Sequence, residues 1–226
     1  MLLMRKFSCW LSAVVLAGVL VSCSDSKPKV EAAMTQAPAP PLVVSMDTND
    51  LVEVKTVITN VVLDIRYATS NNFTGQTLYT SSRCFLRKSV VANLAKAQKE
   101  FNELGYGIKI FDGYRPLTVQ KKMWAVYPNP GFVADPKKGS KHNRGAAVDL
   151  TLVKLGEGEV LMPTPFDDFT EKAHRNYQGG PEESLHNKKL LETVMERNGF
   201  KGLDTEWWHF DDLNWRKYDV MDVPVE

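Results

Sequence analysis

Two short stretches of this 226-residue chain carry residue types that bind a catalytic metal. In SKHNRGAAVDLTL, residues 140–152, His142 and Asp149 stand seven positions apart with Gly145 between them. Asp149 lies among Val148, Leu150 and Leu152, where a carboxylate is costly to bury unless it is paired, hydrogen-bonded or bound to a metal. The small residues Gly145, Ala146 and Ala147 let the backbone turn tightly enough for His142 to fold back toward Asp149. Alone, the stretch reads as readily as a loop capping a strand. In TEWWHFD, residues 205–211, Glu206 precedes His209 by three, beside two tryptophans that can exclude water. A catalytic zinc takes three ligands from His, Asp, Glu or Cys and keeps a fourth position open. His142, Asp149 and His209 make that number. Glu206 then suits the base that takes a proton from water, whose pKa zinc lowers to about 7, and passes it to a leaving amine. One geometric condition attaches: residues three apart on a regular strand face opposite sides, so the chain must bend for Glu206 and His209 to share a site.

A third stretch, DGYRP (112–116), holds Arg115 between a strand end and a Pro-started helix. There it can donate to a developing oxyanion, with Asp112 to hold its guanidinium. An isolated Arg–Asp pair is otherwise an ordinary surface contact. The remaining histidines have simpler readings. His186 sits mid-helix among Asn187, Lys188 and Lys189, a solvated face, and His174 in EKAHRNY has no local partner.

The elements that must position these residues follow from periodicity. VVLDIRYA (61–68) alternates as a strand, and residues 88–105 form an amphipathic helix with Val90, Leu94, Ala97, Phe101 and Leu104 on one face and Gly105 as its stop. Residues 106–116 read as a strand ending in a turn, and Pro116 starts a helix reaching about Tyr127. AAVDLTLV is a strand, KLGEGEVLMP a hairpin region, residues 182–199 a second long helix capped by Gly199, and TEWWHFD a final strand. Strands mixed with two long helices, without regular βαβ alternation, indicate an α+β fold.

Composition bounds the rest. The chain is 43% hydrophobic with a formal net charge of +1, which supplies no basic footprint for nucleic acid. Its first residues, MLLMRKFSCWLSAVVLAGVLVSC, place Arg5 and Lys6 before an apolar run and read as an export signal over residues 1–22. The run is short for a membrane span, and Leu20-Val21-Ser22-Cys23 resembles a bacterial lipobox in which Cys23 is lipidated. Loss of residues 1–22 leaves 26 basic against 27 acidic side chains, a net −1, so a lipid rather than charge would hold the protein at a membrane. Only Cys84 then remains, with no partner for an intrachain disulfide. Residues 23–46, rich in Pro and Ala, form a tether, and residues 47–226 make one domain. The expected location is extracytoplasmic, periplasm-facing and membrane-anchored.

Taken together, Ser-x-His-x-x-Gly-x-Ala-x-Asp in SKHNRGAAVDLTL, EWWH and DGYRP closely resemble the zinc D-alanyl-D-alanine dipeptidases, from about DIRYATSNNFTG to the closing DVPV. The resemblance implies one zinc per chain on His142, Asp149 and His209, Glu206 as base and Arg115 as oxyanion stabiliser. It also implies that Asp167 of TPFDDF, next to Asp168, and Tyr67 receive the substrate ammonium, with Ser140 in the substrate pocket. The implied fold is a small mixed or antiparallel sheet with flanking helices, the core shared with D,D-carboxypeptidases and the hedgehog signalling domain. The implied activity is hydrolysis of D-Ala-D-Ala to two D-alanines in peptidoglycan metabolism. The alternatives are a D,D-carboxypeptidase or endopeptidase on longer muropeptides, and a non-catalytic zinc-binding lipoprotein. Oligomeric state is not legible.

Overall fold

A computed structural model describes residues 50–225. The export signal, Cys23 and the tether lie outside the described residues.

The described chain runs β1 (Leu51–Glu53), α1 (Val54–Val57), β2 (Val62–Leu63), β3 (Phe85–Arg87), α2 (Lys88–Glu103), β4 (Tyr106–Asp112), α3 (Leu117–Val126), β5 (Ala147–Lys154), β6 (Gly158–Glu159), α4 (Glu182–Arg197), β7 (Phe200–Leu203) and β8 (Glu206–Asp212). The main sheet has six strands in the order β2-β4-β5-β8-β7, with β6 added beside β5. Only β2–β4 is parallel; the other pairs are antiparallel, and β1 and β3 form a separate antiparallel pair. The fold is therefore α+β with a small mixed sheet.

The two long helices form where their apolar faces are needed. Val90, Val91, Leu94, Ala97 and Phe101 of α2 and Leu191, Val194 and Met195 of α4 are buried together with Ile108, Ile110, Val148, Leu150 and Leu152 of the sheet. Burying each Val, Leu, Ile, Phe or Met among them contributes roughly 1.5–3 kcal/mol. Leu104, expected on the buried face of α2, is 51% exposed because the helix ends at Glu103 and Gly105 takes a positive φ.

Three expectations need correction. The strand read over 61–68 survives only as Val62–Leu63; Asp64 donates its N–H to the Ile110 carbonyl, and Arg66–Ala68 then wind into a 3₁₀ turn that buries Tyr67. The face of α4 around His186 is solvated only in part. His186 and Lys189 are exposed, but Asn187 donates to the Leu161 carbonyl and Lys188 to those of Arg175 and Tyr177. Leu104, exposed past the end of α2, is the third.

Candidate active site

β5 and β8 pair with Asp149 opposite His209, so the two side chains leave the sheet on the same face. His142 reaches them from the 3₁₀ turn His142–Arg144, which Gly145 ends at φ +65 by donating its N–H to the His142 carbonyl. That glycine is required twice over, since a Cβ there would meet the Leu51 side chain at 2.8 Å in a left-handed backbone. The same turn is tied to the DGYRP segment, because Arg115 N–H donates to the His142 carbonyl and Asn143 donates to that of Arg115.

Three hydrogen-bond acceptors converge here. His142 Nδ1 faces the Gly113 carbonyl at 2.8 Å, which can only accept, so Nδ1 carries the proton and Nε2 is bare. His209 Nε2 faces the Asp211 carboxylate at 2.8 Å, which leaves Nδ1 bare in the neutral ring. His142 Nε2 lies 3.1 Å from His209 Nδ1, His209 Nδ1 lies 3.0 Å from Asp149 Oδ1, and His142 Nε2 lies 3.4 Å from the same oxygen. Donors about 2.0–2.2 Å from a tetrahedral zinc stand roughly 3.3–3.6 Å apart. The triangle is within a few tenths of an ångström of that spacing, so the three residues fit zinc. All three are buried, so only a cation or a shared proton can satisfy them. Burial alone would push the Asp149 carboxyl up, but His142 and His209 hold it well below the usual carboxylate range. Burial would likewise depress His209, yet its hydrogen bonds to Asp149 and Asp211 push it up to about 10.

Glu206 joins the site because β8 bends. β7 and β8 run in register to Gly202↔Phe210, but the next pair is Leu203↔Glu206 rather than Leu203↔His209. Trp207, Trp208 and His209 form the excess, a bulge that adds twist and re-aims side chains. It meets the condition that regular strand geometry could not: Glu206 Oε2 lies 4.0 Å from His209 Nδ1. Burial, with Asp149 and Asp167 nearby, pushes the Glu206 carboxyl up to about 8 against the pull of His209 and Arg115.

Arg115 is buried near Asp149, with Nη2 at 4.0 Å from Asp149 Oδ2. Its Nε and Nη2 donate to Asp112 Oδ2 at 3.0 and 2.7 Å, and Nη1 donates to Gln120 Oε1 at 2.8 Å. A guanidinium has five N–H donors, so these three bonds leave two unassigned. Asp112 also accepts from the Tyr79 hydroxyl at 2.7 Å. Gln120, Tyr79 and Asp211 were not assigned from the chain's pattern. Asp211 alone had a signal, standing two residues past His209 on the same face of a strand.

These groups open into a cavity of about 380 Å³ whose lining includes His142, Asp149, Glu206, His209, Arg115, Ser140, Tyr67 and Asp167. All eight expected site residues of the domain are thus brought together. Asp167 accepts from the Tyr67 hydroxyl at 3.1 Å and the Phe73 N–H at 3.3 Å. It is the only non-glycine with positive φ among the described residues, at +63, a strain that functional sites tend to hold. Burial, with the charge of Asp149, pushes its carboxyl up to about 7. Asp168 does not line the cavity; it caps the Thr170 N–H at 3.0 Å. Ser140 Oγ accepts the His142 N–H at 3.2 Å, so it also holds the turn that carries His142. His174 and His186 are not in the cavity lining.

A family profile described as D-ala-D-ala dipeptidase matches residues 47–221. A D-alanyl-D-alanine dipeptidase of Escherichia coli (strain K12) is 36% identical over 166 residues, 73% of this chain and 86% of that one. One of Enterococcus faecalis (strain ATCC 700802 / V583) is 34% identical over 171 residues, 65% and 83% of the two chains. One of Streptomyces coelicolor (strain ATCC BAA-471 / A3(2) / M145) is 31% identical over 184 residues, 72% and 91%. A solved structure described as VanYB in complex with D-Alanine-D-Alanine is more distant, with a TM-score of 0.40 and 16% identity over 61% of this chain and 77% of that one.

Proposed function

The chain belongs to the D-ala-D-ala dipeptidase family and is a peptidase, and on that premise we propose that it hydrolyses free D-Ala-D-Ala to two D-alanines with one zinc ion held by His142, Asp149 and His209. The observation that carries this reading is the convergence of three buried acceptor atoms beside Glu206 and Arg115 in one cavity. When bound, zinc would polarise the scissile carbonyl and lower the pKa of water toward about 7.

The chain's own groups supply the rest. Asp211 accepts from His209 Nε2–H and the Gly113 carbonyl from His142 Nδ1–H, which fixes both tautomers with the bare nitrogens inward. Glu206, whose carboxyl burial pushes up to about 8 in the metal-free site and which the charge of a bound cation would return to its ionised form, accepts a proton from the attacking water and returns it to the leaving amine. Arg115, immobilised by Asp112 and Gln120, offers its two remaining N–H groups to the oxygen that becomes negative. Asp167, with Tyr67 beside it, receives the substrate ammonium. In a longer peptide the corresponding nitrogen is an uncharged amide, which leaves a buried carboxylate uncompensated, so the dipeptide is favoured.

We further propose that Cys23 is lipidated and that the domain works outside the cytoplasm, on dipeptide released from peptidoglycan. The short apolar leader and its lipobox-like end support this. Incorporation of labelled palmitate that Cys23→Ser does not diminish would contradict it.

Purified protein is offered D-Ala-D-Ala and, separately, a muropeptide ending in D-Ala-D-Ala. The expected result is cleavage of the free dipeptide with at least about 100-fold preference. Cleavage of the muropeptide alone would select the D,D-carboxypeptidase reading. Glu206→Gln should keep its zinc and lose about 10²- to 10⁴-fold in kcat. Unchanged turnover would remove Glu206 from its role.

A further inference from the structure

The bulge that lets Glu206 and His209 share a site has to be held open, and one residue outside the cavity does so. Had β7 and β8 continued in register, Leu203 would stand opposite His209. The carbonyl oxygens of those two residues instead both accept from one side chain: Arg175 donates from Nε to the Leu203 carbonyl at 2.9 Å and from Nη2 to the His209 carbonyl at 2.6 Å. The planar fork of the guanidinium bridges the strands where the pairing breaks. Its remaining nitrogen, Nη1, has no hydrogen-bond partner and faces the Glu192 carboxylate at 3.8 Å.

Arg175 is itself fixed from several directions. Its N–H donates to the Asp204 carbonyl at 2.9 Å, its own carbonyl accepts from Lys188 at 2.8 Å, and its guanidinium lies 4.3 Å from the centroid of the Phe210 ring. The side chain is only 9% exposed. Gly202, at the last regular pair, makes room for it, because a Cβ there would collide with the guanidinium. EKAHRNY, whose His174 has no local partner, thereby acquires a role through the neighbouring arginine.

From this geometry we infer that Arg175 is a positioning residue for the peptidase reaction: by bridging the Leu203 and His209 carbonyls it sets the bend of β8, and with it the placement of base Glu206 against ligand His209. Arg175 touches neither substrate nor metal; it acts through the backbone of His209. The inference rests on the zinc dipeptidase reading above.

The test uses the full chain with zinc for kinetics and with Co(II) in its place for visible absorption. Arg175→Lys keeps a charge and a long stem but cannot bridge two carbonyls in one plane, and Gly202→Ala displaces the guanidinium without removing it. Misplacing catalytic groups by about 1 Å costs about 100-fold in rate. Each variant should therefore lose about 10- to 100-fold in kcat while KM for D-Ala-D-Ala stays within about threefold. Each should also change the Co(II) spectrum, and the double variant should be no worse than the poorer single one, because both act on one contact. Variants that keep wild-type kcat and spectrum and lose only thermal stability would overturn the inference, as would fully additive losses. So would an Arg175→Lys protein recovered only unfolded, which would make the clamp purely structural. A wild-type protein with neither metal binding nor turnover would instead refute the functional reading itself.

Discussion

Asp167, proposed to receive the substrate ammonium, shows most clearly how a single residue can be held against its own preferences. Its carboxyl is pushed up to about 7 by burial and by Asp149, and its backbone sits at φ +63, so in the free protein it is held against both charge and conformation. Because its pKa is raised above the unfolded value, the folded state takes up a proton that the unfolded chain lacks. The stability this gives is complete below about pH 4 and is lost as pH rises through about 7. Asp167→Asn removes the buried charge, tolerates positive φ better, and can accept from Phe73 N–H while donating to Tyr67. The expected outcome at pH 8 is a gain on the order of 1–2 kcal/mol, a melting temperature higher by about 3–6 °C, with a smaller gain at pH 5. The same variant should raise KM for D-Ala-D-Ala by about 100-fold or more, since the ammonium loses its counter-charge. Steady-state kinetics beside thermal melts at the two pH values check both. A variant that gained no stability and kept its KM would take Asp167 out of the ammonium site.

At the level of elements, the site depends on two departures from regular structure: the Gly145 turn and the β8 bulge. Gly145 stands in the left-handed region with Leu51 against the place where a Cβ would go. Gly145→Ala should destabilise the protein by about 1–3 kcal/mol and should also release zinc faster to a chelator, because the same turn presents His142. Melting curves and chelator-transfer rates read the two effects, and loss of stability with unchanged zinc release would sever the turn from the metal centre. Of these two features, the first was legible in the sequence, and the second only as a condition that the chain bend between Glu206 and His209, without its form or cause. A glycine with two alanines between His142 and Asp149 announces a tight turn, and Glu206 with His209 announces a site. No local pattern in TEWWHFD says that β7 loses register at Leu203, because the cause lies in Arg175, some thirty residues away in sequence. Gln120, Tyr79 and the buried Asn187 and Lys188 escaped for the same reason: each has a role only through tertiary partners. The strand expected over 61–68 failed where Asp64 closes the pairing and Tyr67 turns inward, a tertiary demand that overrode alternation.

Across the whole molecule, the proposed zinc site would link metal, proton and fold. In metal-free protein His209 is pushed up to about 10 by Asp149 and Asp211, so its proton stabilises the fold fully below the ordinary histidine value of about 6.5 and less as pH rises through about 10. Zinc must displace that proton. Its affinity should therefore rise by about tenfold per pH unit across that window, and the melting-temperature difference between loaded and stripped protein should widen from pH 7 to pH 9. Affinity independent of pH would show that His209 is not a ligand. The measurement that bears most directly on the central claim is titration of zinc into chelator-stripped protein while D-Ala-D-Ala cleavage is followed. Activity should be absent at zero metal, rise linearly, and reach its plateau at one zinc per chain. Full turnover by metal-free protein, or none at one equivalent of bound zinc, would contradict it.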